Sequence, residues 1–99
     1  MNLRRVEAFC RVVELGSVVA AADAMFCVPS NISKMLKDLE ALLSDALFVR
    51  DKGNLIITPF GRRYYDEVHP ILENAHRVER TFRTSAQQHS LSIGAMMWS

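Results

Sequence analysis

The chain has 99 residues, 49% hydrophobic and 23% charged, which suits one small domain and leaves no room for a second hydrophobic core. Its apolar stretches are far shorter than the roughly 20 residues of a membrane span, and charges at Arg4, Arg5 and Glu7 interrupt the segment where a signal peptide would be apolar. We therefore expect a cytoplasmic protein with no membrane partner. Twelve basic and eleven acidic side chains give a net charge of +1, which neither requires nor excludes a nucleic-acid partner.

Two helices are predicted at the start of the chain. The first is indicated by apolar residues at intervals of three and four, namely Leu3, Val6, Phe9, Cys10 and Val13. Gly16 is suited to end this helix. Ser17 is placed to cap the second helix, which we expect from Val18 to about Met25. Its four alanines favour helix and allow another backbone to approach closely.

The third predicted helix has a distinct apolar side and polar side. Pro29 suits its first turn, because the N–H that proline lacks would be unpaired there in any case. We expect its buried stripe to consist of Ile32, Leu36, Leu39 and Leu43. The opposite side carries hydroxyl, amide and charged groups, from Ser30, Asn31, Ser33, Lys34, Lys37 and Asp38.

A hairpin and a long helix are predicted next. Short β-prone runs at 47–49 and 55–57 flank a charged turn that contains Gly53 and Asn54, which predicts a β-hairpin. Thr58 and Pro59 then begin a helix with a coiled-coil spacing of Gly61, Tyr64, Val68, Ile71, Ala75, Val78 and Phe82. A helix of this length extends past so small a body, so we expect it to form a dimer. Pro70 predicts a kink at 66–70.

The end of the chain changes character. After residue 85 the sequence is polar, and from Leu91 it alternates like the beginning of a strand. One strand has no pairing partner here, so we expect the chain to stop just inside a second domain.

The sequence contains no recognisable catalytic or metal-binding arrangement. Cys10 and Cys27 lie among apolar neighbours, where reduced core thiols are expected. The histidines, His69, His76 and His89, are too widely spaced to predict a metal site. No serine or cysteine has a histidine and a carboxylate placed for a triad, and a glycine-rich phosphate loop is absent. We expect a protein that is not an enzyme and needs no metal or cofactor within these residues.

The order of elements predicts a mostly α winged helix-turn-helix, whose third helix fits the major groove of B-DNA, about 12 Å wide. Ser30 and Asn31 would then hydrogen-bond base edges, while Lys34 and Lys37 reach phosphates. The hairpin is the wing, and its cations Arg50 and Lys52 would contact an adjacent groove or phosphate. The helix-start hydroxyls that would meet phosphates are those of Ser17 and Thr58.

Five motifs also carry a family resemblance: Gly16-Ser17 with Ala21-Ala22, Ile32-Ser33-Lys34 with Leu36 and Leu39-Glu40, Leu47-Phe48-Val49-Arg50, Thr58-Pro59-Phe60-Gly61, and Leu91-Ser92-Ile93-Gly94. In this order and spacing they resemble the DNA-binding domain of LysR-type transcriptional regulators, the last motif resembling the opening strand of that family's effector-binding domain. The resemblance implies a winged domain at 1–58, a linker and dimerisation helix at 59–86, and a hinge with the start of an absent effector domain at 87–99. It also implies a dimer that binds an inverted repeat at a promoter, and allows a tetramer in a full-length protein.

The resemblance assigns roles to single residues. Ser33 matches a serine of the family's recognition helix, Lys34 stands where arginine is usual, and Arg50 closes the Leu-Phe-x-Arg motif. Ser17 and Thr58 match hydroxyls that face phosphates.

The chain departs from the family's usual residues at the start of the third helix and at the start of the second. The family usually begins the third helix with Ser-Gln-Pro or Ser-Gln-Ser, whereas this chain has Val28-Pro29-Ser30, so a glutamine that often reads bases has no counterpart. Pro29 can instead touch a thymine methyl, with hydrogen bonds from Ser30 or Asn31. Val18 replaces the usual phenylalanine.

Each predicted role has a simpler structural alternative. Lys34 and Lys37 can be solvated surface charges, Asn31 only a first-turn residue, and Ser17 and Thr58 only helix caps. Arg50 can pair with Asp51 or Glu40 instead of DNA. The apolar stripe of the long helix can pack on its own domain.

We therefore predict a sequence-specific, dimeric DNA-binding regulator with double-stranded DNA as its partner. The predicted base-reading residues are Pro29, Ser30, Asn31 and Lys37. The predicted positioning residues are Ser17, Ser33, Lys34, Arg50, Lys52 and Thr58, and the predicted dimer interface comprises Tyr64, Val68, Ile71, Ala75, Val78 and Phe82. Alternatives are a MarR-like winged-helix repressor and a helical module that binds a protein partner and not DNA.

Overall fold

The computed structural model describes residues 2–92, with side chains described for residues 2–83. Six elements follow in chain order: α1 (Leu3–Leu15), α2 (Val18–Ala24), α3 (Pro29–Leu43), β1 (Phe48–Asp51), β2 (Asn54–Ile57) and α4 (Pro59–Ser92). Up to the long helix α4, their order and type agree with the elements expected from the sequence. None of the helices in residues 2–92 is long and apolar enough to cross a membrane.

The first two helices begin and end at residues suited to these positions. The Oδ1 atom of Asn2 accepts hydrogen bonds from the N–H groups of Arg4 and Arg5, at 3.0 and 3.3 Å, and so caps α1. Gly16 ends α1 in the left-handed conformation, with φ of 74°. Ser17 caps α2 as predicted, since its hydroxyl oxygen accepts the N–H of Ala20 at 3.1 Å.

The hydrophobic core is formed where α1, α2 and α3 meet. Phe9 of α1 is fully buried, and its ring lies 5.5 Å from that of Phe48 and 5.4 Å from that of Tyr64, measured between centroids. Ala21 and Ala22 of α2 are buried, which allows the close helix approach expected of small residues. The inner side of α3 contributes Ile32, Leu36 and Leu39, three of the four residues predicted for its buried stripe.

The two strands form an antiparallel hairpin, with Phe48 paired to Ile57 and Asp51 paired to Asn54. The connecting residues, Lys52 and Gly53, both have positive φ, at 52° and 80°. Positive φ at both central residues is typical of a type I′ turn, whose twist matches that of the paired strands. Glu40 holds the hairpin to α3, because its carboxylate accepts the N–H groups of Leu47 at 2.7 Å and Phe48 at 3.3 Å.

The last helix, α4, packs on α1 with its first half and extends away with its second. Val68 and Leu72 are buried, whereas Val78 and Phe82 are exposed. Its 34 residues correspond to about 51 Å at the usual rise per residue. Pro70 lies inside α4, which stays helical on both sides of it.

The end of α4 differs from the prediction. The helix was expected to end near residue 86, but it continues to Ser92, so Leu91 and Ser92 are helical rather than the start of a strand. The alternation of apolar residues from Leu91 is too short to distinguish a strand from a last helical turn. The remainder of the alternating segment, residues 93–95, lies outside the described residues. The division into domains remains a prediction.

Candidate nucleic-acid interface

The outer side of α3 presents the polar groups predicted to meet DNA. Pro29, Ser30, Asn31, Lys34 and Lys37 are exposed, and Ser33 is half-buried. The helix can present these groups because Ile32, Leu36 and Leu39 anchor its other side in the core. One helix side thus carries two hydroxyls, an amide and two ammonium groups on a fixed support.

A carboxylate lies within this polar surface and is paired with two of its cations. Asp38 Oδ2 lies 3.1 Å from Lys34 Nζ, one turn along α3, and 3.6 Å from a guanidinium nitrogen of Arg5 on α1. All three side chains keep contact with solvent, so the ion pairs are worth little to stability. Their main effect is to lower the positive potential at Lys34.

The start of α1 brings two arginines beside α3. Arg4 and Arg5 line a cleft of about 280 Å³ together with Asn31 and Lys34. Three cations therefore stand around this cleft against the single carboxylate of Asp38. The sequence motifs assign no DNA contact to Arg4 or Arg5, although basic residues clustered on one face are a usable signal for a phosphate contact.

The wing places a further cation beside α2. Arg50 is exposed on β1 and lines a cleft of about 240 Å³ with Ser17, Gly53 and Asn54. The alternative partners of Arg50 were Asp51 and Glu40. Glu40 accepts hydrogen bonds from the hairpin backbone instead, and Arg50 forms no ion pair within residues 2–83.

The family profile described as "Bacterial regulatory helix-turn-helix protein, lysR family" matches residues 3–62, from the start of α1 to the start of α4. The chain belongs to the LysR family. This membership decides against the MarR-like alternative.

Named relatives of this LysR-family domain are transcriptional regulators. HTH-type transcriptional regulator CzcR of Bacillus thuringiensis (strain Al Hakam) is 35% identical over 85 residues, which are 86% of this chain and 28% of that protein. The CzcR protein of Bacillus subtilis (strain 168) is 33% identical over 97 residues, which are 97% of this chain and 34% of that protein. The chain therefore spans about a third or less of the length of these curated relatives.

Solved structures of LysR-family domains bound to DNA have the same fold. The crystal structure of the CbnR DNA-binding domain with DNA has a TM-score of 0.73 and 29% identity, covering 87% of this chain and 99% of that one. The BenM DNA-binding domain with catB site 1 DNA has a TM-score of 0.77 and 28% identity, covering 87% and 97%. The predicted winged helix-turn-helix with a long C-terminal helix is confirmed.

The hydroxyl of Thr58, to which the LysR resemblance implied a phosphate role, has hydrogen-bond partners within the domain. It accepts the N–H of Gly61 at 2.9 Å and donates to the carbonyl of Ala46 at 2.7 Å. Its proton is therefore used within the domain when DNA is absent, and a phosphate contact by Thr58 stays a prediction. Ser17 uses its oxygen as a cap acceptor, so its proton remains available for a phosphate.

Some residues of the apolar stripe of α4 are buried within the LysR-family domain, and others are exposed on its surface. Val68 is only 2% exposed and packs within the monomer, so its assignment to a dimer interface was wrong. Tyr64 is half-buried and packs on Phe9. Ile71, Val78 and Phe82 are exposed, by 50%, 38% and 67%, and Ala75 is half-buried. The outer part of the predicted seam, Ile71, Val78 and Phe82, is the surface left for a partner. The residues nearer the start of α4 pack within the monomer.

Polar side chains link α1 and α4. Glu14 of α1 accepts a hydrogen bond from the Tyr65 hydroxyl at 2.9 Å, and His69 Nε2 lies 3.3 Å from the same carboxylate oxygen. Burial, together with the bond to Glu14, raises the pKa of Tyr65 to about 12.

Both cysteines are free thiols, and burial raises the pKa of the Cys10 thiol to about 12, so this thiol stays protonated. Among the described residues, no three potential metal ligands lie close enough together to hold an ion.

Proposed function

We propose that this domain binds duplex DNA sequence-specifically as a homodimer and is the DNA-binding part of a cytoplasmic transcriptional regulator. Its action is binding rather than catalysis. The observation that carries the proposal is the exposed polar side of α3, with Arg4 and Arg5 along one border and the wing residue Arg50 beside α2. The printed names of the CzcR relatives and the DNA complexes of CbnR and BenM support it.

The polar surface divides by chemistry into positioning and reading groups. The positioning groups face phosphates through charge or a free hydroxyl proton, and comprise Arg4, Ser17, Ser33, Lys34, Arg50 and Lys52. The reading groups lie at the start and middle of α3, and comprise Pro29, Ser30, Asn31 and Lys37. The net charge of +1 gives only modest affinity for DNA of arbitrary sequence.

Dimer geometry sets the form of the binding site. Two copies joined along the outer parts of their α4 helices present two α3 helices to the same side of a duplex. A twofold-related pair fits an inverted repeat whose half-sites are separated by one or more helical turns. In a protein as long as the curated relatives, most of the chain lies beyond this domain, and we place the effector-binding function and any tetramer contact there.

Sedimentation equilibrium with a random duplex library, followed by sequencing of the bound DNA, tests this function. We expect an enriched inverted repeat bound by two chains, with affinity that falls as salt rises. A domain that dimerises but ignores duplex DNA at low salt would instead be a protein-binding helical module.

Two substitutions test the division of roles. Lys34→Ala should weaken binding to all sequences and reduce the salt dependence by about one phosphate contact. Asn31→Ala should mainly reduce discrimination between the selected site and single-base variants. The division is wrong if Asn31→Ala lowers affinity uniformly and Lys34→Ala changes only sequence preference.

A further inference from the structure

The N-cap position of α3, where a polar side chain usually stabilises a helix, is occupied by a valine. Val28 is the N-cap residue of α3, is 55% exposed, and makes no side-chain capping hydrogen bond. Serine, threonine, asparagine and aspartate are preferred at N-caps because their oxygen accepts a free helix N–H, and valine has no such oxygen. Fold stability therefore does not explain Val28, and a local rule broken at the surface commonly marks a functional position.

The two chain neighbours of Val28, Cys27 and Pro29, line an apolar cleft between α2 and the start of α3. The cleft has a volume of about 380 Å³, and its lining includes Val19, Ala20, Cys27 and Pro29. Val19 is 65% exposed although it is aliphatic. Asp23 is the one charged residue that lines the cleft, and it repels phosphate. The cleft therefore suits an uncharged apolar group and not the DNA backbone.

The cleft is continuous with the proposed DNA-binding surface. It shares Ser17 with the positioning residues and Pro29 with the reading residues. The edges of the bases in the major groove carry one apolar group, the C5-methyl of thymine. A methyl group presented by a base at the start of α3 would meet Pro29, the exposed Val19 that lines the same cleft, and Val28, the exposed residue next to Pro29 in the chain.

Resting on the proposed function, we infer that Val19, Val28 and Pro29 receive the C5-methyl group of a thymine at one position in each half-site. At the N-terminus of α3, this apolar contact replaces the base contact that a hydrogen-bonding side chain would make. Burial of one methyl group corresponds to about a fourfold gain in affinity, so two half-sites give about sixteenfold.

Deoxyuridine substitution tests the contact directly, since it removes the thymine methyl and keeps the base pair. In duplexes that carry the selected site, each thymine is replaced in turn by deoxyuridine, and the dissociation constant is measured. We expect about fourfold weaker binding at one thymine of each half-site and no change at the others. In a second pair of duplexes this position holds cytosine or 5-methylcytosine, and the methylated duplex should bind more tightly by a similar factor. Equal binding of these two duplexes would contradict a methyl contact.

Variants of the apolar residues link the effect to this cleft. Val28→Ser removes the methyl groups and adds a capping oxygen, so it should raise the thermal midpoint by a few degrees while abolishing the response to deoxyuridine. Val19→Ala should reduce that response. Leu42→Ala, at an exposed aliphatic residue near the other end of α3, should leave it unchanged.

The outcomes separate this inference from the proposed function. If a duplex site is selected but no thymine position responds to deoxyuridine, or if Val28→Ser keeps the full response, the inference is overturned and DNA binding stands. If no duplex is selected at all, both fail, and the apolar cleft belongs to a protein-binding surface.

Discussion

Lys34 Nζ lies 3.1 Å from Asp38 Oδ2, one turn further along α3, so the cation proposed to meet a phosphate already has a carboxylate beside it. DNA binding has to compete with this pair and with the second pair from Asp38 to Arg5, at 3.6 Å. The carboxylate also repels a phosphate directly. Asp38 therefore weakens the attraction of this surface for DNA.

The first prediction is that Asp38→Asn strengthens DNA binding. Removal of one negative charge and release of two cations should raise affinity about three- to tenfold at low salt, with a smaller gain above 0.2 M salt. Fluorescence anisotropy with the selected site and with an unrelated duplex measures the change, which should be similar for both. Glu67→Gln changes the net charge equally on the exposed surface of α4 and is the control. An equal gain in both variants would show that net charge alone is responsible.

Local sequence pattern was enough to predict the elements of this fold. The three-and-four spacing of apolar residues in α1 and α3, the cap at Ser17 and the turn at Gly53 are properties of short segments, and these segments form the predicted helices, cap and hairpin. Asn54, which was also predicted in the turn, lies in β2. The polar side of α3 was predictable for the same reason. Fixing the buried stripe of a helix also fixes what its other side presents.

Relationships between distant segments could not be predicted in this way. The ion pair between Arg5 and Asp38 depends on how α1 packs against α3, which the spacing within either helix does not determine. The burial of Val68 depends on where α4 leaves α1, and the donation by Thr58 to the Ala46 carbonyl depends on the path of the hairpin. In each case the sequence indicated the group but not its partner.

Gly61 is predicted to resist substitution by alanine. A Cβ atom at this position would lie 2.4 Å from the carbonyl oxygen of Leu47 and 2.9 Å from Cγ1 of Ile57. Glycine to alanine usually stabilises a helix by up to about 1 kcal/mol, but this overlap should reverse the sign and cost about 1–3 kcal/mol. Urea denaturation of Gly61→Ala measures the free energy of unfolding, with Arg63→Ala as an exposed control on the same helix turn. A more stable Gly61→Ala protein would contradict the close contact between α4 and Leu47.

Tyr65 is predicted to make stability depend on alkaline pH. Burial and the hydrogen bond to Glu14 raise its pKa to about 12 in the folded protein, above the ordinary value of 10.0 that applies when the chain is unfolded. The folded state therefore holds this proton more tightly, so the contribution is complete below pH 10 and is lost as pH rises through 12. Urea denaturation at pH 9 and pH 11 should show a larger loss for the native sequence than for Tyr65→Phe. Equal losses in the two proteins would contradict a raised pKa of Tyr65 in the folded state.

Phe82 is predicted to be required for the dimer and not for the fold. It is 67% exposed, and it continues the exposed stripe of Ile71 and Val78 beyond Leu72, which is buried within the monomer. Phe82→Asp would place a charge in the proposed helix-to-helix contact, which should shift sedimentation equilibrium from dimer to monomer. The urea midpoint reported by near-ultraviolet signals of Tyr64 and Tyr65 should change little, since these rings pack on Phe9. Arg83→Asp introduces the same side chain next to the stripe and should remain dimeric.

Loss of the dimer in Phe82→Asp should also weaken DNA binding. Because two linked half-sites bind more tightly than one, the affinity of Phe82→Asp for the inverted repeat should fall at least tenfold, whereas its affinity for a single half-site should stay the same. A monomeric variant with unchanged affinity for the repeat would show that pairing along α4 is not what joins the two recognition helices on DNA.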